Sequence, residues 1–162
     1  MIAEFDPALD LTVERLIRAP VASVWSAWAE PGNLAQWWVP HPARARVSAF
    51  SLVPGGAFET EISENGEPFR PHVRFCFLAV EPQRLIVFTN ALTAGFRPAA
   101  DPFLTAAITF RPTEAGTQYR AQVMHADERA RQDHERLGFC DGWTTVAAQL
   151  AAFAEMRAVS AD

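Results

Sequence analysis

Hydrophobic and polar positions alternate at the start of the chain. Leu11, Val13 and Ile17 fall on one face, and Thr12, Glu14 and Arg18 fall largely on the other. That is the spacing of a strand with one wet side. After Pro20 the period changes: Val21, Val24, Trp25 and Trp28 recur at i, i+3, i+4 and i+7, the apolar stripe of a helix that Pro20 starts from its favoured first position. "EPGN" interrupts, Pro31 opens a second short helix, and Pro40 ends it. Leu34, Trp37 and Trp38 stand at i, i+3 and i+4, which on a helix puts both indoles on the side of Leu34.

From residue 43 the pattern is that of strands. "ARARVSAF" is followed by a turn at Pro54–Gly56, then by "AFETEIS" with Phe58, Thr60 and Ile62 on one face. Asn65-Gly66 is the strongest short hairpin signal. "HVRFCFLAVEP" and "LIVFTNAL" read as strands, "TAGFRPAADP" as a loop, and "FLTAAITF" and "TQYRAQVMH" as a last hairpin. The final third reverts to helical spacing: Trp143, Val146, Ala147, Leu150, Phe153 and Ala154 form one stripe, with a bend expected where Gly138 and Gly142 interrupt it. The order predicts an α+β domain: about seven strands in a curved antiparallel sheet, two short helices after the first strand, and one long C-terminal helix. Such a sheet cannot be filled everywhere by one helix, so a pocket can remain between them.

Composition narrows the classes. At 162 residues, 49% hydrophobic and 20% charged, the chain is expected to form one globular domain, residues 1–162. Its net charge of −5 argues against nucleic acid as a partner. All 14 basic residues are arginine, which excludes Schiff-base chemistry on lysine. No run approaches the roughly 18 apolar residues of a membrane span. The acidic N-terminus lacks the layout of a secretion signal, so the cytoplasm is the expected compartment. Cys76 and Cys140 are expected to be buried thiols rather than a disulfide. No cofactor is expected.

Candidate chemistry is sparse. His41, His72, His125 and His134 form no local metal motif, although His125 and His134 can meet where the last strand hands over to the helix. No metal site is expected. "FRPHVRF" places Arg70, His72 and Arg74 on one strand face and Phe69, Val73 and Phe75 on the other. That polar face is either solvated or turned into the pocket, where His72 and Arg74 could meet an anionic or carbonyl group. His72 is the one nominee for acid/base work near neutral pH. Asp127 or Asp133 is expected to cap a helix. There is no nucleophile elbow and no phosphate loop. For Trp37 and Trp38 both core packing and a pocket wall remain open.

"RLIRAPVASVWSAWAEPGNLAQWWVP" at 15–40 resembles the opening of the SRPBCC, or START-like (Bet v 1-like), helix-grip superfamily, and within it the branch named after the activator of the 90-kDa heat-shock protein ATPase. "PGGAF" at 54–58, "VEPQRLIVFT" at 80–89, "GTQY" at 116–119 and "HERLGFCDGWTTVAAQLAAF" at 134–153 extend the likeness over about residues 11–156. "SLVPGG" departs from the branch's usual Asp-Leu-Arg-Pro-Gly-Gly: Ser51 and Val53 replace an acid and a base.

The resemblance implies a helix-grip fold holding a small hydrophobic or aromatic molecule between sheet and helix. Trp37, Trp38, Phe58, Phe88 and Trp143 would be its wall, and His72 and Arg74 its polar anchors. The short helices would sit at the cavity mouth. It also admits a cyclase or aromatase acting on a poly-carbonyl substrate through His72, or a co-chaperone-like interaction domain. The superfamily often forms homodimers, and no feature of the sequence shows one here.

Overall fold

In a computed structural model, which describes residues 1–161, each alternating stretch pairs with its neighbour in antiparallel register. The strands are β1 (Asp10–Ile17), β2 (Arg44–Phe50), β3 (Ala57–Ser63), β4 (Arg70–Glu81), β5 (Leu85–Thr89), β6 (Leu92–Thr93), β7 (Arg97–Pro98), β8 (Thr105–Thr113) and β9 (Gly116–Met124). Seven of them form one curved sheet in the order β1-β9-β8-β5-β4-β3-β2. Helices α1 (Val21–Ala29) and α2 (Pro31–Leu34) therefore carry the chain from one sheet edge to the other. The stretch expected as a loop after β5 contains instead a small hairpin of its own, β6 against β7, around a turn of 3-10 helix at Ala94–Phe96.

Turn chemistry fixes the hairpins. Asn65 and Gly66 both have positive φ, 54° and 75°, as the tight turn between β3 and β4 requires. Gly56 passes so close to the Ser51 carbonyl that a Cβ there would lie 1.9 Å from its oxygen, so no other residue fits.

The helices differ in detail from the reading of the sequence. Pro20 is the residue before the first turn of α1, not its first member. Pro31 does open α2, but the helix ends at Leu34, and Trp37 and Trp38 sit on the turns beyond it, their backbone amides still bonded to the Leu34 carbonyl at 3.3 and 3.1 Å. The C-terminal stretch breaks as its glycine predicts. Helix α3 (Glu128–Arg136) is capped by the Asp127 carboxylate, which accepts from the Ala130 amide at 2.8 Å. Gly138, at φ 95°, then reverses the chain into α4 (Phe139–Ala161).

Helix α4 lies in the concavity against α1 and β1. Ala147, Leu150, Ala151 and Ala154 are buried along one side of it, and the small side chains let the helix approach closely. Sheet and helices meet in one aromatic core. Trp28 lies 5.1 Å from Trp37, 5.6 Å from Trp38 and 5.9 Å from Phe88, ring centre to ring centre. Its indole N–H donates to the Tyr119 hydroxyl at 3.2 Å. Neither cysteine is in a disulfide: Cys76 is buried as expected, whereas Cys140, in the first turn of α4, is exposed.

Candidate functional site

One end of the concavity is not filled. A cavity of about 280 Å³ lies between α4 and the sheet. Val13, Tyr119 and Ala121 form its floor, Val73 and Phe75 one side, Trp28, Trp37 and Trp38 another, and Trp143, Val146 and Ala147 the helical side. At His72, Val73, Phe75 and Leu104 it adjoins an open groove that runs toward the β6–β7 hairpin.

The tryptophan loop is held to α4 by one side chain. Gln149 donates to the carbonyls of Trp37 and Val39, at 3.1 and 2.8 Å, and accepts from the His41 amide at 2.8 Å. Trp37 is 1% exposed and donates its indole N–H to the Ala27 carbonyl at 2.9 Å. Trp38 is different: its Nε1 is buried and has no partner. Such a donor is uncommon, because leaving it unmade costs about 1–3 kcal/mol. Tyr119 accepts from Trp28, and burial pushes its phenol well above the ordinary range, so it stays a neutral donor at the cavity floor.

The structure separates His72 from Arg74. Thr60 pairs with Val73 and Glu61 with Pro71, so His72 has no partner across the ladder: it is the extra residue of a β-bulge. The bulge breaks the two-residue alternation and brings His72 to the cavity side, where its Nδ1 meets the hydroxyl of buried Thr60 at 3.1 Å. His72 stands at the rim, in contact with both cavity and groove. Partial withdrawal from water lowers its pKa below 6.5, Arg70 adds to this, and Glu64 opposes it. Arg74 stays on the outer face, paired with Glu59 at 3.0 Å. It borders the groove but not the cavity.

Of the expected wall residues, Trp37, Trp38 and Trp143 border the cavity. Phe58 and Phe88 do not. They are fully buried one layer behind Trp38, at 4.9 and 6.4 Å from its ring, and support the wall rather than form it.

His134 is a cavity residue that reading the sequence did not place there. Its Nδ1 lies 2.9 Å from His125 Nε2, and its ring is framed by Phe103, Phe139 and Trp143 at 5.0, 5.0 and 6.4 Å. Burial, reinforced by His125, lowers its pKa to about 4. The available signal was the Gly138 break, which ends a polar helix beside the aromatic start of the next. Among the described residues no group of three His, Cys, Asp or Glu is placed to hold a metal ion.

A family model described as Activator of Hsp90 ATPase homolog 1-like protein matches residues 18–155. The chain is similar to a crystal structure of a Nitrosomonas europaea protein, 36% identical over 94% of this chain and 98% of that one, with a TM-score of 0.86. It is also similar to one from Mycobacterium smegmatis, 25% identical over 90% of each chain, TM-score 0.74. A solution structure of an Aeromonas hydrophila protein of the same family shares the fold at 18% identity, over 92% of this chain and 94% of that one, TM-score 0.67. No curated protein matches the chain.

Proposed function

The chain belongs to the Activator of Hsp90 ATPase homolog 1-like family, and from that premise we propose that it binds a small, largely apolar aromatic molecule in the cavity between α4 and the sheet. The observation that carries this reading is the wall itself: four indoles and Phe75 line a space of about 280 Å³, and one of those indoles, Trp38, has a buried N–H without a partner. A volume near the lower end of the usual pocket range, about 300–1,000 Å³, suits one or two fused rings. Trp37, Trp38 and Trp143 supply the faces. Trp38 Nε1 and the Tyr119 hydroxyl supply donors, and His72 stands at the rim.

Binding to the folded state alone raises its stability by about 2.7 kcal/mol at a ligand concentration 100 times Kd. At about 2–4 °C per kcal/mol for a chain of this size, a bicyclic aromatic such as 1-naphthol is expected to raise Tm by roughly 5–10 °C, and progressively with concentration. No shift across a panel of one- and two-ring aromatics contradicts the reading.

An enzyme of the cyclase or aromatase type is the second reading. It draws on His72 and His134, two imidazoles at the cavity that partial burial keeps neutral near pH 7. Product formation lost in His72→Ala with ligand affinity retained would favour it.

A further inference from the structure

The two histidines at the end of the cavity form a chain whose proton positions can be deduced. His125 is 8% exposed, and its Nδ1 lies 2.9 Å from the Leu9 carbonyl oxygen. A carbonyl oxygen only accepts, so His125 Nδ1 carries a proton. In a neutral imidazole the other nitrogen is then an acceptor. That nitrogen, His125 Nε2, is 2.9 Å from His134 Nδ1, so against a neutral His125 it is His134 Nδ1 that donates. With both rings neutral, His134 Nε2 is left as a bare lone pair on the ring that borders the cavity.

His134 is the one residue of α3 whose ring packs among the aromatic side chains Phe103, Phe139 and Trp143. Helix α3 has no buried residue. The Asp127 cap and the Arg131–Glu135 ion pair hold the helix internally, and the His125–His134 bond ties it to the end of β9. Two other lining residues carry donors, Trp38 at Nε1 and Tyr119 at its hydroxyl, and a further imidazole, His72, stands at the rim. His134 Nε2 supplies an acceptor to the same space, on a ring flanked by Phe139 and Trp143.

We propose that His134 and His125, the latter anchored on the Leu9 carbonyl, form a proton relay, and that the cavity's ligand carries a weakly acidic hydroxyl, a phenol or an enol, which donates to His134 Nε2. This rests on the cavity being a binding site. The relay also gives the proton a path. The ligand O–H bond breaks as an N–H bond forms at His134 Nε2. The proton on His134 Nδ1 passes to His125 Nε2. The result is a ligand oxyanion, a neutral His134 and a His125 imidazolium, both of whose N–H groups already face acceptors, Leu9 and His134. No other reactant is needed, and the transfer is charge-balanced.

Long-range ¹H–¹⁵N NMR of the uniformly ¹⁵N-labelled protein at neutral pH tests the relay without any ligand. His134 is expected to carry its proton on Nδ1 with Nε2 unprotonated, and His125→Ala is expected to shift it toward the Nε2–H form. Titration with 1-naphthol and with 1-methoxynaphthalene, which cannot donate, tests the ligand class. The naphthol is expected to bind roughly tenfold more tightly, and His134→Phe, which keeps an aromatic ring in place, is expected to abolish the difference. An Nε2–H tautomer in the wild type overturns the relay whether or not anything binds. Equal affinity for the two probes, or a preference that His72→Ala removes and His134→Phe does not, overturns the acceptor role. Failure of both probes to bind, with the expected tautomer present, overturns the cavity reading and the ligand class with it.

Discussion

Trp38 is the residue at which stability and binding make opposite demands. Its ring packs on Trp28 and Phe58 at 5.6 and 4.9 Å, while its N–H is buried without a partner. Trp38→Phe keeps most of the apolar contact and removes the unmade donor. Trp38→Phe is expected to leave the unfolding free energy unchanged or raised by up to about 1 kcal/mol, and to weaken binding of ligands that present an acceptor. A loss of several kcal/mol in a urea melt would show that the indole N–H has a structural role instead. The neighbouring pair was visible in the sequence as two adjacent large rings, but their unequal roles were not. Which indole finds a carbonyl depends on how the turns after Leu34 are drawn onto Gln149, a contact more than a hundred residues away along the chain. His72 was likewise nominated from its chemistry, and only the bulge opposite Thr60 decides that it and Arg74 part company.

At the scale of elements, the break between α3 and α4 shapes the cavity. It brings His134 from one helix and Phe139, Gly142 and Trp143 from the next to the same end of the space. A Cβ built on Gly142 meets no atom within 4 Å, so the glycine leaves open volume where any other residue would intrude. Gly142→Ala is expected to stabilise the helix by about 0.5–1 kcal/mol, seen as a raised Tm of the free protein. Gly142→Leu is expected to fold equally well and to lose the ligand-induced rise in Tm. A Leu variant that binds normally would place the ligand elsewhere. Periodicity made the strands, the first helix and the long helix legible, because alternation and the 3.6-residue stripe are properties of neighbouring positions. The same reasoning failed where backbone hydrogen bonds rather than side-chain spacing decide: the end of α2 at Leu34, the β6–β7 hairpin and the His72 bulge.

For the whole molecule, topology makes the cavity. The sheet runs from β1 at one edge to β2 at the other, and α4 covers only part of that width, packing mainly on α1 and β1. The remaining span is roofed by the tryptophan loop, which Gln149 ties to the helix. No helix among the described residues is long and apolar enough to cross a membrane. The family and the fold were legible because the matching segments run in order through nearly the whole chain. The volume and lining of the cavity were not, since they depend on how far a curved sheet stands off one helix.

A small aromatic molecule held between the tryptophan loop and α4 would be sensed by the five indole N–H signals, followed in ¹H–¹⁵N spectra during a titration with 1-naphthol. Trp28, Trp37, Trp38 and Trp143 border the cavity, whereas Trp25 packs on Phe110 at 5.4 Å and does not. Saturable shifts led by Trp38 and Trp143 are expected, with Trp25 unmoved. Shifts of Trp25 equal to theirs, or no movement of Trp38 and Trp143 at saturation, would contradict binding in the cavity.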